Sequence, residues 1–165
     1  MEVTCCRLTQ IRLTTLASTE TTASVTKIRV LLFGLAEQAY GCDIRTVREI
    51  IPLRPATRLP GSPDYVCGLI NLRGTIVTVL DLGRRLERTS GSRADGSIIL
   101  VEVGTKVVGI AVDEVMDVRT LSGDSIEDAT ADEKRGGWVR GMGRIDDDRV
   151  VILLDMPALA TQVLL

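Results

Sequence analysis

The sequence predicts a mainly β protein made of two similar lobes, each a small five-stranded barrel. The main observation is an internal repeat, in which residues 67–82 and residues 140–156 each hold a glycine, a polar turn, branched aliphatic residues and an aspartate next to Leu or Met. The paired positions are Gly68 and Asp81 in the first copy, and Gly141 and Asp155 in the second. A strand–turn–strand unit that occurs twice indicates two lobes of one architecture. Short strands, tight turns and few helices are typical of small barrels.

The composition supports sheet over helix. Of the 165 residues, 45% are hydrophobic but only 2% are aromatic, so the cores must be packed from Val, Ile, Leu and Ala, and the β-branched residues among these favour strands. A chain of this length can bury one full core or two small cores in contact. The net charge is −2 and the basic residues are scattered. Nucleic-acid binding is therefore not expected, since it usually needs a basic face with stacking aromatic side chains.

The folded domain is expected to cover residues 26–160. Residues 1–25, which are rich in Thr and Ser, are expected to form a disordered tail. The repeat places the first barrel lobe at about residues 40–90 and the second at about residues 97–154. The strand at residues 26–35 and a C-terminal helix are expected to complete the lobes.

Four residues mark predicted helix starts, because their side chains can accept hydrogen bonds from the unpaired N–H groups of a first helical turn. Asp43 precedes Ile44, Val47 and Ile51, whose spacing predicts a helix with one apolar face. The other predicted starts are, in chain order, Ser62 before a single turn from Pro63 to Cys67, Asp81 before a helix ending at Leu86, and Asp155 before a C-terminal helix from Met156 to Val163.

The other apolar runs predict strands. Two hairpins are expected, one with its turn at Arg73-Gly74 and the other with its turn at Asp146-Asp147-Asp148. Further strands are predicted at residues 39–42, 98–103, 106–112 and 113–121. The polar stretch at residues 87–97 is predicted to be a surface loop, and the one at residues 122–136 a loop or a short helix.

The inventory of reactive residues does not favour an enzyme. The chain has no histidine, so the usual general base at neutral pH is missing. No nucleophile or phosphate-binding motif occurs, and the four cysteines lack metal-ligand spacing. We therefore expect no catalytic residue, no metal and no cofactor. One alternative remains open, a small acidic cation-binding protein that uses Asp146–Asp148 and Asp155. No apolar run approaches the ~20 residues that span a bilayer, so we expect no membrane insertion and take the cytoplasm as the location.

An ordered series of short motifs resembles the CheW-like family, the adaptors of bacterial chemosensory arrays. The motifs are, in chain order, Phe33-Gly-Leu, Tyr40-Gly-Cys-Asp-Ile, Val47-Arg-Glu-Ile, Leu59-Pro60, the stretch from Gly68 to Leu82, Val108-Gly-Ile-Ala-Val-Asp, Val115, Val118 and the stretch from Val151 to Asp155. The resemblance covers about residues 26–160. It implies two SH3-like barrels packed side by side, in agreement with the internal repeat.

The resemblance also implies a set of binding residues. Val47, Glu49 and Arg73 match family positions associated with receptor binding. From the residues alone, Glu49 would be a solvent-facing helix charge, Arg73 a turn residue, and Val47 either a core residue or a receptor contact. A kinase-binding surface is expected near strand edges and turns of the first lobe, at Arg58, Leu59, Pro60 and Thr78. Thr78 is itself a departure, since the family often has Pro there.

The function that the resemblance implies is a non-enzymatic adaptor. Its expected partners are the cytoplasmic tip of a chemoreceptor and the regulatory domain of a chemotaxis histidine kinase. An adaptor of a pilus, gliding or other non-flagellar chemosensory pathway would carry the same sequence features. A regulatory fragment of the kinase itself is a further alternative, although such a fragment is normally fused to an ATP-binding domain and a phosphorylatable His.

Overall fold

A computed structural model describes residues 26–86, 95–132 and 136–164. The predicted tail and most of the predicted loop at residues 87–97 lie outside this part of the chain. Eleven strands and two α-helices are present among the described residues, in the order β1 (Lys27–Leu35), β2 (Gln38–Asp43), β3 (Val47–Pro52), β4 (Val66–Leu72), β5 (Thr75–Asp81), α1 (Leu82–Arg85), β6 (Ser97–Val103), β7 (Lys106–Val112), β8 (Glu114–Ser122), β9 (Ile126–Asp128), β10 (Val139–Asp146), β11 (Arg149–Leu154) and α2 (Met156–Leu164). The predicted mainly β fold is confirmed.

The strands form two sheets. The five-stranded sheet has the order β3-β6-β7-β5-β4, and we call it the first lobe. The six-stranded sheet has the order β8-β1-β2-β11-β10-β9, and we call it the second lobe. Each sheet contains one parallel pair, β5 with β7 in the first lobe and β11 with β2 in the second, while the other pairs are antiparallel.

The two lobes repeat one strand arrangement. The β4–β5 hairpin corresponds to β10–β11, β3 corresponds to β8, and the β6–β7 hairpin corresponds to β1–β2. The register agrees, since Thr78 lies opposite Val108 in the first lobe as Ile152 lies opposite Tyr40 in the second. The internal repeat found in the sequence therefore has a structural counterpart.

The sheets do not divide the chain at the lobe boundaries expected from the sequence. Strands β6 and β7, at residues 97–112, belong to the first lobe, which is thus one continuous segment. Hairpin β1–β2, at residues 27–43, belongs to the second lobe with the C-terminal strands. The reason is the parallel pairing in each lobe. Strand β11 pairs with β2, which lies near the start of the chain, whereas β5 pairs with β7, which follows β5 in the chain.

Three apolar clusters hold the structure together. One lies within the first lobe and includes Ile70, Val79 and Leu100. A second lies within the second lobe and includes Val30 and Leu153. The third, which we call the central core, takes buried residues from both sheets and both helices, among them Phe33, Tyr40, Ile99, Ile110, Leu82 and Met156. The two lobes therefore share apolar packing, whose burial favours their association.

The repeated glycines allow a close approach of neighbouring backbone. A Cβ atom on Gly68 would lie 2.2 Å from the carbonyl oxygen of Thr57, and one on Gly141 would lie 2.3 Å from that of Glu127. Gly68 also has φ +139°, a conformation that L side chains rarely adopt. Glycine is thus required in each repeat, because the backbone at Thr57 or at Glu127 lies too close to leave room for a side chain.

Three of the predicted caps are present. The Oδ1 of Asp81 accepts a hydrogen bond from Arg84 N at 3.1 Å, and the Oδ1 of Asp155 accepts one from Ala158 N at 3.0 Å. Asp43 also caps, accepting from Arg45 N at 2.9 Å, but only a 3₁₀ turn follows, Ile44–Thr46.

Two predicted helices are wrong. The apolar residues at 47–51 continue as strand β3, because their β-branched side chains pair with β6. Glu49 therefore lies on a strand and not on a helix. The predicted helical turn from Pro63 to Cys67 is a non-helical turn that leads into β4 at Val66. In the stretch predicted as loop, residues 126–128 form strand β9.

Candidate functional site

Two of the predicted binding residues, Glu49 and Arg73, form an ion pair at the surface of the first lobe. Arg73 Nη2 donates a hydrogen bond to Glu49 Oε1 at 2.8 Å, and Arg73 Nη1 donates to Glu49 Oε2 at 3.2 Å. Glu49 lies on β3 and Arg73 follows β4, the two edge strands of this sheet. The sheet therefore curls until its two edges approach each other, as in a barrel.

The turn between β4 and β5 presents Arg73 to this site. Arg73 has φ +52° and Gly74 has φ +85°, and two central residues with positive φ are typical of a type I′ hairpin turn. The Oδ1 of Asn71 accepts a hydrogen bond from Gly74 N at 2.9 Å and stabilises the turn. The Arg73 side chain is 75% exposed, so an approaching partner can reach it.

The ion pair closes one side of a groove of about 240 Å³. The groove has an apolar floor and a charged rim, with the lining residues Arg48, Glu49, Leu72, Arg73, Thr75, Val77, Leu100 and Val107. Apolar area with a few placed charges is the usual chemistry of a surface that binds a protein segment.

Val47 lies apart from this groove. It is half-buried and packs against the central core. The structure thus brings Glu49 and Arg73 together but does not bring Val47 to them. A contact between Val47 and a receptor stays a prediction.

The predicted kinase-binding residues lie along another part of the first lobe. Thr57 exchanges two backbone hydrogen bonds of 2.8 Å with Leu69 of β4, and Leu69 lies opposite Thr78 of β5. The exposed residues Arg58, Leu59 and Pro60 continue from Thr57, so all four predicted residues are near one sheet edge. Thr78 itself is half-buried.

An exposed apolar side chain lies near these four residues of the first lobe. Ile76, two residues before Thr78 on the same face of β5, is 68% exposed. Leu59 is 38% exposed. We call this set, Arg58, Leu59, Pro60, Ile76 and Thr78, the edge surface.

The charged groups elsewhere do not form a metal site in the described part of the chain. Asp147 and Asp148 are exposed in the β10–β11 turn, and Asp155 caps α2. Among the described residues, no three carboxylate or thiol groups converge in a way that would hold a metal ion. This arrangement disfavours the cation-binding alternative.

Two neighbouring residues at the end of β2, Cys42 and Asp43, have pKa values shifted from their ordinary range. Burial, with a smaller contribution from Asp43, raises the pKa of the Cys42 thiol to about 12. Hydrogen bonds from the Arg45 side chain lower the pKa of the Asp43 carboxyl, against an opposing effect of burial. The first shift makes Cys42 an unreactive core residue, and the second stabilises the turn that Asp43 caps.

The sequence analysis missed a second groove, which lies on the second lobe. It has a volume of about 410 Å³, and its lining includes Leu32, Asp117 and Val151. Through the strand registers these residues correspond to Leu100, Glu49 and Val77 of the first groove. The internal repeat could have predicted this groove, provided that the β1–β2 hairpin was assigned to the second lobe.

The sequence analysis also missed the packing of Arg85. The guanidinium carbon of Arg85 lies 4.8 Å from the ring centroid of Tyr65 and 4.8 Å from that of Trp138. The Arg84-Arg85 pair following Asp81-Leu82 stands out in the sequence, but no local pattern links it to Trp138.

The two curled sheets, the charged groove and the edge surface define a two-lobed β docking module. No helix in the described ranges has the length and apolar character needed to cross a bilayer. The chain belongs to the CheW-like family, because the model of the CheW-like domain matches residues 29–164.

Relatives and a solved structure agree with this assignment. The chain is 35% identical to a probable chemotaxis protein CheW of Rhizobium etli over 137 residues, which cover 81% of this chain and 87% of that protein. It is 35% identical to the chemotaxis protein CheW of Klebsiella aerogenes, covering 78% and 79%. The crystal structure of the scaffolding protein TtCheW from Thermoanaerobacter tengcongensis aligns with a TM-score of 0.70 and 33% identity, covering 78% of this chain and 89% of that chain.

Proposed function

We propose that the chain is a non-enzymatic adaptor that couples chemoreceptors to a chemotaxis histidine kinase. The observation that carries the proposal is the exposed Glu49–Arg73 pair at the rim of the groove, in a member of the CheW-like family. The relatives named above are chemotaxis proteins, and the structural neighbour is described as a scaffolding protein. An adaptor needs surfaces that bind partners and needs no reacting groups.

The groove is the proposed receptor site. A helical hairpin at the cytoplasmic tip of a receptor would place apolar side chains against the half-buried Leu72 and Val107, in the manner of a helix in a groove. Charged residues beside that apolar stripe would pair with Arg73 or Glu49. Only two of the five N–H donors of Arg73 are used in its bonds to Glu49, so the guanidinium can bind a carboxylate of the partner while it keeps this pair. Val47, which lies apart from the groove, is proposed as a separate receptor contact.

The edge surface is the proposed kinase site. Its occupant would be the kinase's regulatory domain, bound through the exposed side chains of Arg58, Leu59 and Ile76 and through the half-buried side chain of Thr78. The groove and the edge surface use different side chains of the first lobe, so one adaptor could hold both partners at once. Linking the two on one rigid body raises their effective concentration for each other. The proposed partners place the chain in the cytoplasm.

The test is a pull-down of the receptor cytoplasmic fragment and the kinase from the same organism, using three proteins. Wild type is expected to capture both partners. Arg73→Glu is expected to lose the receptor and keep the kinase, because it places two carboxylates face to face at the groove. Arg58→Glu, a matched charge reversal on the edge surface, is expected to lose the kinase and keep the receptor.

Two outcomes would count against the proposal. Capture of neither partner by folded wild-type protein would overturn the adaptor function. Equal capture of the receptor by wild type and Arg73→Glu would leave the adaptor function standing but would remove the groove as its receptor site. Which receptor and kinase the wild type captures also distinguishes a flagellar pathway from a pilus or gliding pathway.

A further inference from the structure

Arg85 lies between the two lobes, with an aromatic ring on each side. Tyr65 precedes β4 of the first lobe, and Trp138 precedes β10 of the second. The guanidinium carbon of Arg85 is 4.8 Å from both ring centroids. Its Nη2 also donates a hydrogen bond of 2.8 Å to Oε1 of Gln162, on α2. Arg85, which follows the first-lobe sheet, thus contacts Trp138, just before the second-lobe strand β10, and Gln162 of helix α2.

The two rings occupy equivalent places in the repeat. Each precedes the repeated glycine by three residues, Gly68 after Tyr65 and Gly141 after Trp138. Each backbone carbonyl accepts the N–H of the capping aspartate of its own lobe, Asp81 N to Tyr65 O at 2.7 Å and Asp155 N to Trp138 O at 2.6 Å. The rings are therefore related by the same pseudo-symmetry as the lobes.

Only one lobe supplies the cation between these rings. Arg85 is the fourth residue after Asp81, and the fourth residue after Asp155 is Leu159. Leu159 is fully buried in the central core. Because the equivalent position holds a core leucine, Arg85 is a departure from the symmetry between the lobes.

The Arg85 guanidinium is held in place more by the two aromatic rings than by hydrogen bonds. Its Nε is buried and has no hydrogen-bond partner among the described residues, and no ion pair found in those ranges involves Arg85. Arginine suits this place because its planar, weakly hydrated group can stack on aromatic faces, while lysine offers a compact, strongly hydrated charge.

The lobes meet through the apolar central core and through the polar contacts of Arg85. Apolar burial is non-directional, so it opposes separation of the two sheets more than a small rotation of one on the other. A planar cation stacked on two rings is directional. We propose that Arg85 is a positioning residue that fixes the orientation of the second lobe relative to the first. The proposal does not depend on what the lobes bind.

The test compares lobe orientation in three proteins by residual dipolar couplings of backbone amides in an aligning medium. Arg85→Met keeps the apolar stem and removes the planar cation. Arg84→Met is the matched control, because it makes the same change one residue earlier on α1. The contacts of Arg84 lie within the first lobe, an ion pair with Asp81 at 3.5 Å and a hydrogen bond to the Asp64 carbonyl at 3.2 Å.

The expected result is a change of orientation in one variant alone. In wild type and Arg84→Met, one alignment tensor should fit both lobes with the orientation described here. In Arg85→Met, each lobe should fit its own internal structure, while the orientation between them shifts. Trp138, the single tryptophan of the chain, should show a red-shifted emission and stronger quenching by acrylamide in the same variant.

The proposal is overturned if folded Arg85→Met keeps the wild-type orientation between the lobes, since the central core would then be sufficient. If Arg85→Met does not fold, the orientation between the lobes is measured in Arg85→Lys, which keeps the charge but lacks the planar group. A shifted orientation in Arg85→Lys supports the proposal, and an unchanged orientation overturns it. A merely stabilising role would lower the unfolding temperature without changing the orientation.

Discussion

At the residue scale, the Glu49–Arg73 pair combines a defined geometry with high exposure. Two hydrogen bonds link the side chains, yet Arg73 is 75% exposed and Glu49 33% exposed. Ion pairs in water contribute only about 0–1 kcal/mol to stability. The pair therefore contributes little to holding the lobe together.

Because the pair contributes little to stability, we expect the fold to stay intact when either charge of the pair is removed. We expect Glu49→Gln and Arg73→Gln each to lower the free energy of unfolding by less than about 1 kcal/mol. The double variant should lose about as much as either single variant, because the second change removes no further pairing. Urea denaturation followed by circular dichroism measures all three. A loss of several kcal/mol from either single change would make the pair a structural element and would weaken the pull-down as a test of binding.

At the element scale, the start of the β4–β5 hairpin depends on the absence of a side chain at Gly68. A Cβ there would lie 2.2 Å from Thr57 O, the oxygen that accepts a hydrogen bond from Leu69 N. The segment that carries Arg58, Leu59 and Pro60 is thus positioned by a contact that only glycine permits. The β4–β5 turn offers a comparison, because Gly74 also has positive φ but nothing lies within 4 Å of its Cβ position.

We expect Gly68→Ala to destabilise the protein by about 3 kcal/mol or more, since it combines backbone strain with displacement of the neighbouring segment. Gly74→Ala should cost only about 1–2 kcal/mol, the usual penalty for a left-handed alanine. Thermal and urea unfolding measure the difference. Equal losses would mean that the crossing segment moves away freely, and that the edge surface is not held by Gly68.

At the scale of the whole molecule, the central core joins two lobes that the chain builds unequally. The first lobe is continuous, from β3 to β7, while the second combines β1 and β2 with β8 to β11. One side of the first-lobe sheet presents Ile99, Val108 and Ile110 to the central core. Without the second lobe, these side chains would be exposed to water.

We therefore expect the protein to unfold in one cooperative transition. The emission of Trp138, which reports on the second lobe, and the far-UV circular dichroism, which reports on both sheets, should give the same midpoint in urea. A fragment of residues 44–113, which contains the whole first lobe, should show little stable sheet on its own. Two separate transitions, or a stable fragment, would show that each lobe folds independently.

The sequence by itself determined the local features of this protein. The repeat, the two hairpins, and the caps at Asp81 and Asp155 were predicted correctly, because each depends on hydrogen bonds and side-chain preferences within a few residues. The position of Arg73 in a tight turn also followed from its neighbours Asn71 and Gly74. The receptor and kinase roles came from the family resemblance and remain proposals.

Only the tertiary structure decided the features that join distant segments. Residues 47–51 have a spacing that suits a helix, yet pairing with β6 makes them a strand. Glu49 meets Arg73 because the sheet curls, and β1–β2 joins the second lobe because β11 needs a parallel neighbour. Arg85 meets Trp138 because the two lobes pack on one core. Such contacts depend on sheet closure and on burial of apolar faces, and neither is encoded in a short stretch of sequence.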